Sequence, residues 1–161
     1  MKVLARILSL IVVASATTVL MNCDSGGGSE KSAEEVELGK LSATWTMTAV
    51  DLDGTDRTSD FANLVLTISG TYSNSTTNPV YSFSFTGTRP NPSPWPANGT
   101  WRFESVPNKI IRRLDDNQLI NYSLTSNDTQ LSMDFNYQGA GFAGGRVAEV
   151  NGDWSFTFTK Q

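Results

Sequence analysis

The segment Leu131-Ser-Met-Asp-Phe-Asn-Tyr137 decides the fold class, because apolar and polar residues alternate along it without a break. The apolar residues are Leu131, Met133, Phe135 and Tyr137, and the polar ones are Ser132, Asp134 and Asn136. A period of two residues is that of a β-strand, whose successive side chains point to opposite faces of a sheet. The segment therefore predicts a strand with one buried and one exposed face.

Seven further segments after residue 40 repeat this alternation, some of them more weakly. Their inward members are Trp45/Met47/Ala49, Leu64/Leu66/Ile68, Tyr81/Phe83/Phe85, Trp101/Phe103, Ile110/Arg112/Leu114, Ile120/Tyr122/Leu124 and Trp154/Phe156/Phe158. The links between them are short and rich in turn residues, which favours antiparallel neighbours. The sequence thus predicts an all-β fold, an antiparallel up-and-down meander of about eight strands that closes into a barrel.

Two stretches interrupt the alternation and are predicted loops. Arg89-Pro-Asn-Pro-Ser-Pro-Trp-Pro-Ala-Asn98 has too many prolines for a central strand, and Gln138-Gly-Ala-Gly-Phe-Ala-Gly-Gly145 is rich in glycine. Trp95 lies among the prolines. An aromatic side chain on a stiff loop is suited to a surface contact with a partner, or it folds back and plugs one end of the barrel.

The N-terminus has the pattern of a secretory signal. Lys2 and Arg6 precede an apolar stretch over residues 7–21, so we predict a signal peptide over residues 1–22. Leu20-Met-Asn-Cys23 resembles a lipobox, although Asn22 stands where lipoboxes usually have a small residue. The alternatives are cleavage after Ala16, in the A-x-A pattern Ala14-Ser-Ala16, and an uncleaved anchor.

The lipobox resemblance implies that Cys23 carries a palmitate-type lipid anchor. It places the protein outside the cytoplasm, attached to a membrane, and we expect the outer membrane. Residues after Cys23 are rich in Gly, Ser and Glu, a composition typical of flexible, solvated linkers. We therefore predict a flexible tether over residues 23–40 and a single barrel domain over residues 41–161.

Glycine and tryptophan placement in the domain is similar to that of the small lipocalin-like lipoproteins of Gram-negative bacteria. The similar segments are Gly39-Lys-Leu-Ser-Ala-Thr-Trp45, Gly99-Thr-Trp-Arg-Phe103, Ile111-Arg-Arg-Leu-Asp-Asp116 and Gly152-Asp-Trp-Ser-Phe-Thr-Phe158. The resemblance implies an eight-stranded lipocalin-like barrel and the binding of a small apolar ligand.

Nine aromatic residues on the predicted inner faces are the candidate ligand cavity or core. They are Trp45, Phe83, Phe85, Trp101, Phe103, Tyr122, Phe135, Trp154 and Phe156. An eight-stranded barrel is narrow enough for side chains alone to fill it, so these residues either line a cavity or occupy the space themselves.

Composition excludes several function classes. The chain has a net charge of −4 and no basic stripe, which argues against nucleic acid as a partner. It has no histidine and one cysteine, so we expect neither an enzyme nor a cofactor. The segment Asp51-Leu-Asp-Gly-Thr-Asp56 lacks the ligand spacing of an EF-hand and reads better as a hairpin tip than as a metal site.

Two functions follow from these expectations. The first is a membrane-anchored, non-enzymatic binding module for a small apolar ligand. The alternative is a structural or protein-interaction lipoprotein with a filled core, for example an inhibitor-type barrel, whose protein partner the sequence does not identify.

Overall fold

The computed structural model describes residues 30–142 and 150–161 of the 161-residue chain. In these residues lie one α-helix and nine strands: α1 (Ala33–Leu41), β1 (Thr44–Leu52), β2 (Thr55–Asp56), β3 (Val65–Ser69), β4 (Tyr81–Thr86), β5 (Asn98–Ser105), β6 (Ile110–Arg113), β7 (Leu119–Leu124), β8 (Gln130–Tyr137) and β9 (Gly152–Lys160). The predicted signal peptide, residues 23–29 of the predicted tether (Cys23 among them) and residues 143–145 of the glycine loop lie outside the described residues.

The strands form one antiparallel sheet that closes on itself. Strands β3 to β9 follow one another in chain order, and β1 pairs with both β3 and β9. The remaining strand, β2, has two residues and forms a hairpin with the end of β1 around Asp53 and Gly54. The eight longer strands thus make a closed up-and-down barrel, and the predicted fold class is confirmed.

The inner face of the barrel follows the predicted alternation in most strands. The inward side chains of β3, β4, β8 and β9 are buried as predicted: Leu66, Ile68, Tyr81, Phe83, Phe85, Leu131, Met133, Phe135, Tyr137, Trp154, Phe156 and Phe158. Burial of apolar surface contributes roughly 25 cal/mol per Å². The continuous ring of these side chains is therefore the main source of the barrel's stability.

A β-bulge in β1 changes which residues point inward. Met47 pairs with Phe158 and Ala49 with Thr157, so Thr48 is an extra residue in this strand. A bulge of this kind reverses the alternation beyond it. As a result Val50 is buried and Ala49 is exposed, and the prediction of Ala49 as an inward residue was wrong.

The alternation of β6 also differs from the prediction. A second irregularity lies in β5 between Phe103 and Ser105, opposite the start of β6. The buried residues of β6 are Ile111 and Arg113, in place of the predicted Ile110, Arg112 and Leu114. The predicted inward set contained Arg112, and the structure buries its neighbour Arg113 instead, so the alternation of this short segment pointed to the wrong face.

Residues 33–40 form a helix, although the sequence predicted a flexible tether there. Helix α1 begins after Ser32, whose hydroxyl accepts a hydrogen bond from the backbone N–H of Glu35 at 3.0 Å. The segment Ser32-Ala-Glu-Glu35 has the spacing of a capping box, which marks the start of a helix. The prediction of a tether to residue 40 is therefore wrong over residues 33–40.

Helix α1 covers one end of the barrel, the end at which β1 begins. Leu38 and Leu41 are buried against the barrel core. The indole N–H of Trp45 donates to the carbonyl of Leu41 at 3.0 Å, which fixes the end of the helix to the first strand. Side chains three residues apart lie on one face of a helix, so both leucines reach the core together.

Glu37 places a buried carboxylate between α1 and the barrel. Its oxygens lie 2.6 Å from Lys109 Nζ and 3.2 Å from Lys40 Nζ, and the Tyr122 hydroxyl donates to it at 3.1 Å. Burial alone raises the pKa of Glu37, but the hydrogen bonds from the two lysines outweigh it and hold that pKa below its ordinary value. Burial and the Glu37 charge raise the pKa of Tyr122.

We expect Glu37→Gln to lower the free energy of unfolding by about 2 kcal/mol, because it removes hydrogen bonds made to a charged group. The loss should be present near neutral pH, decline as the pH falls below the ordinary pKa of a glutamate, and vanish only below the lowered pKa of Glu37. This follows because a carboxylate with a lowered pKa stabilises the fold only while it is ionised. Chemical unfolding at several pH values measures both effects.

Glu35→Gln is the matched control, because Glu35 lies on the same helix and its only ion pair among the described residues is with the exposed Lys31 at 3.8 Å. We expect it to cost no more than about 0.5 kcal/mol. Equal costs for the two variants would show that Glu37 does not fasten α1 to the barrel.

Candidate functional site

Trp95 fills the end of the barrel opposite α1. It lies on the loop of residues 87–97 between β4 and β5, yet only 3% of its surface is exposed. Its ring packs against four phenylalanines, with ring centroids 5.0 Å from Phe85, 5.1 Å from Phe135, 5.8 Å from Phe156 and 5.9 Å from Phe83. Of the two roles predicted for Trp95, the structure shows the plug and excludes the exposed contact residue.

A short set of hydrogen bonds holds the loop that carries Trp95. Ser93 and Phe142 exchange two backbone hydrogen bonds, at 2.8 and 3.2 Å, which tie this loop to the one after β8. The backbone N–H of Trp95 donates to the Ser93 hydroxyl at 3.1 Å, and Arg89 Nη1 donates to the Trp95 carbonyl at 2.9 Å. The prolines around Trp95 restrict the backbone and lack N–H groups, so few donors need partners here.

Arg113 brings a buried positive charge next to the Trp95 ring. Its Nε and Nη2 donate to the two carboxylate oxygens of Asp116 at 2.9 and 2.6 Å, and its Nη1 donates to the Pro94 carbonyl at 2.9 Å. The guanidinium carbon lies 4.8 Å from the centre of the Trp95 ring, within cation–π distance. Tyr137 and Phe142 add two further rings around it, at 5.8 and 5.2 Å.

This network also raises the pKa of Tyr137. The main cause is burial of the phenol, and the negative charge of Asp116 adds to it.

The guanidinium of Arg113 is only 1% exposed, and its bidentate pair with Asp116 provides the counter-ion that a buried charge requires. The side chains of Trp95, Arg113 and Asp116 and the carbonyl of Pro94 are therefore connected. We call these four groups together the Trp95 plug.

The space left inside the described barrel is small. A cavity of about 20 Å³ remains, lined mainly by apolar side chains that include Leu41, Phe83, Trp95 and Ile120. Such a volume holds about one water molecule. Of the two predicted roles for the nine aromatic residues, the filled core fits this structure.

The structure places the nine predicted aromatic residues together in the barrel core. Eight are buried, and Phe103 is partly buried and packs against them. Trp45 and Tyr122 lie at the α1 end, where they bond Leu41 and Glu37, whereas Phe85 and Phe135 contact the Trp95 ring. Sequence reasoning missed Arg113, Asp116 and Glu37, because the burial of Arg113 and Glu37 depends on contacts with other segments of the chain that alternation within one strand does not reveal.

An open depression of about 590 Å³ lies on the outer face of strands β1, β7, β8 and β9. Its polar lining residues are Asp51, Asp53, Asn121, Asp134, Asn136, Asp153 and Ser155. Several of them bond one another, for example Asn136 Nδ2 to Asp153 Oδ1 at 2.6 Å. Within residues 30–142 and 150–161 no group of three or more acidic side chains has a geometry suited to a metal ion.

Asp53 and Gly54 form the tip of the β1–β2 hairpin. Both have positive φ angles, 52° and 79°, as a tight hairpin turn requires. The Asp51 carboxylate accepts a hydrogen bond from the Gly54 N–H at 2.6 Å and so braces the turn. This is the hairpin tip that the sequence favoured over a calcium loop.

Comparison with known proteins found no match: no family model, no curated protein and no solved structure matches the chain. The resemblance to lipocalin-like lipoproteins stays a prediction. In the described part of the chain no helix is long and apolar enough to cross a membrane.

We expect Asp116→Asn to lower the free energy of unfolding by about 3 kcal/mol, because it leaves the buried Arg113 charge without its counter-ion. Denaturant unfolding followed by far-UV circular dichroism measures the change.

The adjacent arginine provides a matched control. Arg112 points outward and pairs with Glu104 at 2.8 Å, so Glu104→Gln should cost at most about 1 kcal/mol. Similar losses for Asp116→Asn and Glu104→Gln would contradict the role assigned to the buried pair.

Proposed function

We propose that the protein is a non-enzymatic interaction module with a filled barrel, held at a membrane by a lipid on Cys23. The observation that carries the proposal is the occupied interior, in which the Trp95 plug closes one end and α1 closes the other. A barrel that has no free volume for cargo makes its contacts through its outer faces and loops.

The interior volume argues against a carrier of fatty acids or similar long molecules. Small-molecule sites typically occupy about 300–1,000 Å³. The residual cavity of about 20 Å³ is more than tenfold smaller, so a long apolar ligand would have to displace core side chains. Between the two functions that the sequence left open, the structure supports the interaction module.

The polar groups of the described residues support a role without catalysis. The chain contains no histidine, the usual general acid or base near neutral pH. Glu104, on β5, accepts a hydrogen bond from Arg112 on β6. Asp134 lies on β8, where it is paired with Asn121 of β7 and Ser155 of β9. These two carboxylates lie on strands that are separated by β6 and β7, so they do not form an acid–base pair.

An anchor at Cys23 suits the position of α1. Eight residues separate Cys23 from Ser32, the cap of α1, and such a segment spans at most about 30 Å. An acyl chain on Cys23 would therefore keep the barrel domain close to the membrane surface, with its outer faces and loops available to partners.

We expect no saturable binding of a fluorescent fatty acid by the full-length protein, because the filled core offers it no volume. In the same protein Phe135→Ala should lower the free energy of unfolding by about 3–5 kcal/mol, as removal of a large core side chain does. Ser132→Ala, on the outer face of the same strand, is the control and should cost less than about 0.5 kcal/mol.

Saturable fatty-acid binding by the full-length natural protein would refute the filled-core function. Fluorescence titration and denaturant unfolding are the two measurements.

Cys23→Ser should abolish labelling by a fatty-acid analogue and release the protein from the membrane fraction, because it removes the only thiol in the chain. Ser25→Ala, two residues away, should label and fractionate like the natural protein. Undiminished labelling of Cys23→Ser would refute the anchor without bearing on the filled core.

A further inference from the structure

Trp95 differs from the other three tryptophans in the bonding of its indole N–H. Each of the others donates to a backbone carbonyl: Trp45 to Leu41 at 3.0 Å, Trp154 to Val150 at 2.8 Å and Trp101 to Ser82 at 3.4 Å. The Trp95 N–H is buried and has no acceptor among the described residues. A buried donor without a partner is costly, so Trp95 is the least well accommodated of the four.

Trp95 is also the only one of the four that enters the core from a loop. The other three lie on strands β1, β5 and β9, whose ladder hydrogen bonds fix them in place. Displacement of Trp95 would require the loop of residues 87–97 to move outward while the barrel itself stayed closed. The contacts of this loop that would break include the Ser93–Phe142 pair and the bond from Arg113 to Pro94.

Outward movement of the loop would leave a pocket of defined shape. Its walls would be the rings of Phe83, Phe85, Phe135 and Phe156, which now contact Trp95, and it would merge with the cavity of about 20 Å³ that Trp95 also lines. The volume of this pocket would equal that of the displaced two-ring indole plus the small cavity. A long acyl chain would not fit.

The same movement would free one hydrogen-bond donor in this pocket. Arg113 Nη1 now donates to the Pro94 carbonyl, whereas Nε and Nη2 are held by Asp116. Without Pro94, Nη1 would face the pocket and need an acceptor. Because Asp116 already neutralises the guanidinium, an uncharged acceptor such as a carbonyl suits this position better than a second carboxylate.

We propose that the barrel contains a small-molecule site that the Trp95 plug occupies in this structure, and that it binds a flat, uncharged two-ring aromatic compound bearing a carbonyl oxygen. We infer the shape and chemistry of the ligand from the two groups that it would replace, the indole of Trp95 and the carbonyl of Pro94. The aromatic rings of the ligand stack on Arg113 at the position where the indole lies now. This site goes beyond the proposed interaction function and does not depend on the anchor.

The plug competes with the ligand, and this competition sets the expected affinities. A ligand that binds only the open state has an apparent dissociation constant raised by the rarity of that state. Removal of the competing side chain therefore tightens binding. We expect Trp95→Ala to bind at least tenfold more tightly than the natural protein, whereas Trp95→Phe, which keeps a ring in the pocket, should stay within threefold of it.

The probe is 2-acetylnaphthalene, titrated calorimetrically into the full-length protein. Its matched controls are 2-ethylnaphthalene, which lacks the carbonyl, and 2-naphthoate, which carries a charge. We expect saturable binding of the acetyl compound and at least tenfold weaker binding of both controls, because only the acetyl oxygen satisfies Arg113 Nη1 without adding a buried charge.

Tryptophan fluorescence reports the movement of the plug. In the natural protein all four indoles are buried, and saturation with 2-acetylnaphthalene should make one of them accessible to acrylamide. This new accessibility should be missing in Trp95→Phe.

The proposal would be overturned by any of three results: no saturable binding to the natural protein, binding that leaves every indole protected, or equal affinity for the acetyl and ethyl compounds. Binding by Trp95→Ala alone would show an artificial cavity and would also overturn it. Should Trp95→Ala fail to fold, the two measurements on the natural protein decide. Fatty-acid binding tests the filled core separately, since a long chain does not fit this site.

Discussion

A closed barrel has no free sheet edges, but it has two open ends through which water reaches the apolar interior. In this protein that constraint is met by two segments that are not part of the barrel wall. Helix α1 covers one end with Leu38 and Leu41, and the loop of residues 87–97 covers the other with Trp95. The interior is filled by side chains and closed at both ends because both covers are in place.

The two covers are fastened by different chemistry. Helix α1 is held by Glu37, whose carboxylate binds Lys109 and Tyr122 of the barrel and Lys40 of the same helix. The loop is held by ring contacts and by Arg113, which bonds the Pro94 carbonyl from below. Each cover leaves one buried polar atom without a partner among the described residues: the hydroxyl of Ser42, which caps the C-terminus of α1, and the indole N–H of Trp95 in the loop.

The sequence predicted the barrel because alternation is a local property of each strand. It failed where one extra residue changes the alternation, as at Thr48 in β1, since a bulge leaves no mark in the pattern of a single strand. It failed at α1 for a different reason. The Gly, Ser and Glu composition around residues 24–37 suggested a linker, although the spacing of Ser32 and Glu35 carried the signal of a helix start.

The candidate site was predictable only in part. Trp95 stood out by its place among prolines, and one of its two predicted roles is the observed one. The burial of Arg113 could not be predicted, because it rests on Asp116 in the following turn and on Pro94 in another loop.

An apolar residue at position 113 would pack against the Trp95 ring without any cost of desolvation, and buried ion pairs are often replaced by apolar residues with no loss of stability. A charge in this position is therefore an inefficient way to build a core. Unlike a leucine side chain, the guanidinium of Arg113 presents a directional hydrogen-bond donor, Nη1, to the carbonyl next to it. A filled core explains the aromatic residues of this barrel. The proposed site would account for the buried Arg113, whose Nη1 now bonds the Pro94 carbonyl and would bond the carbonyl of a ligand in its place.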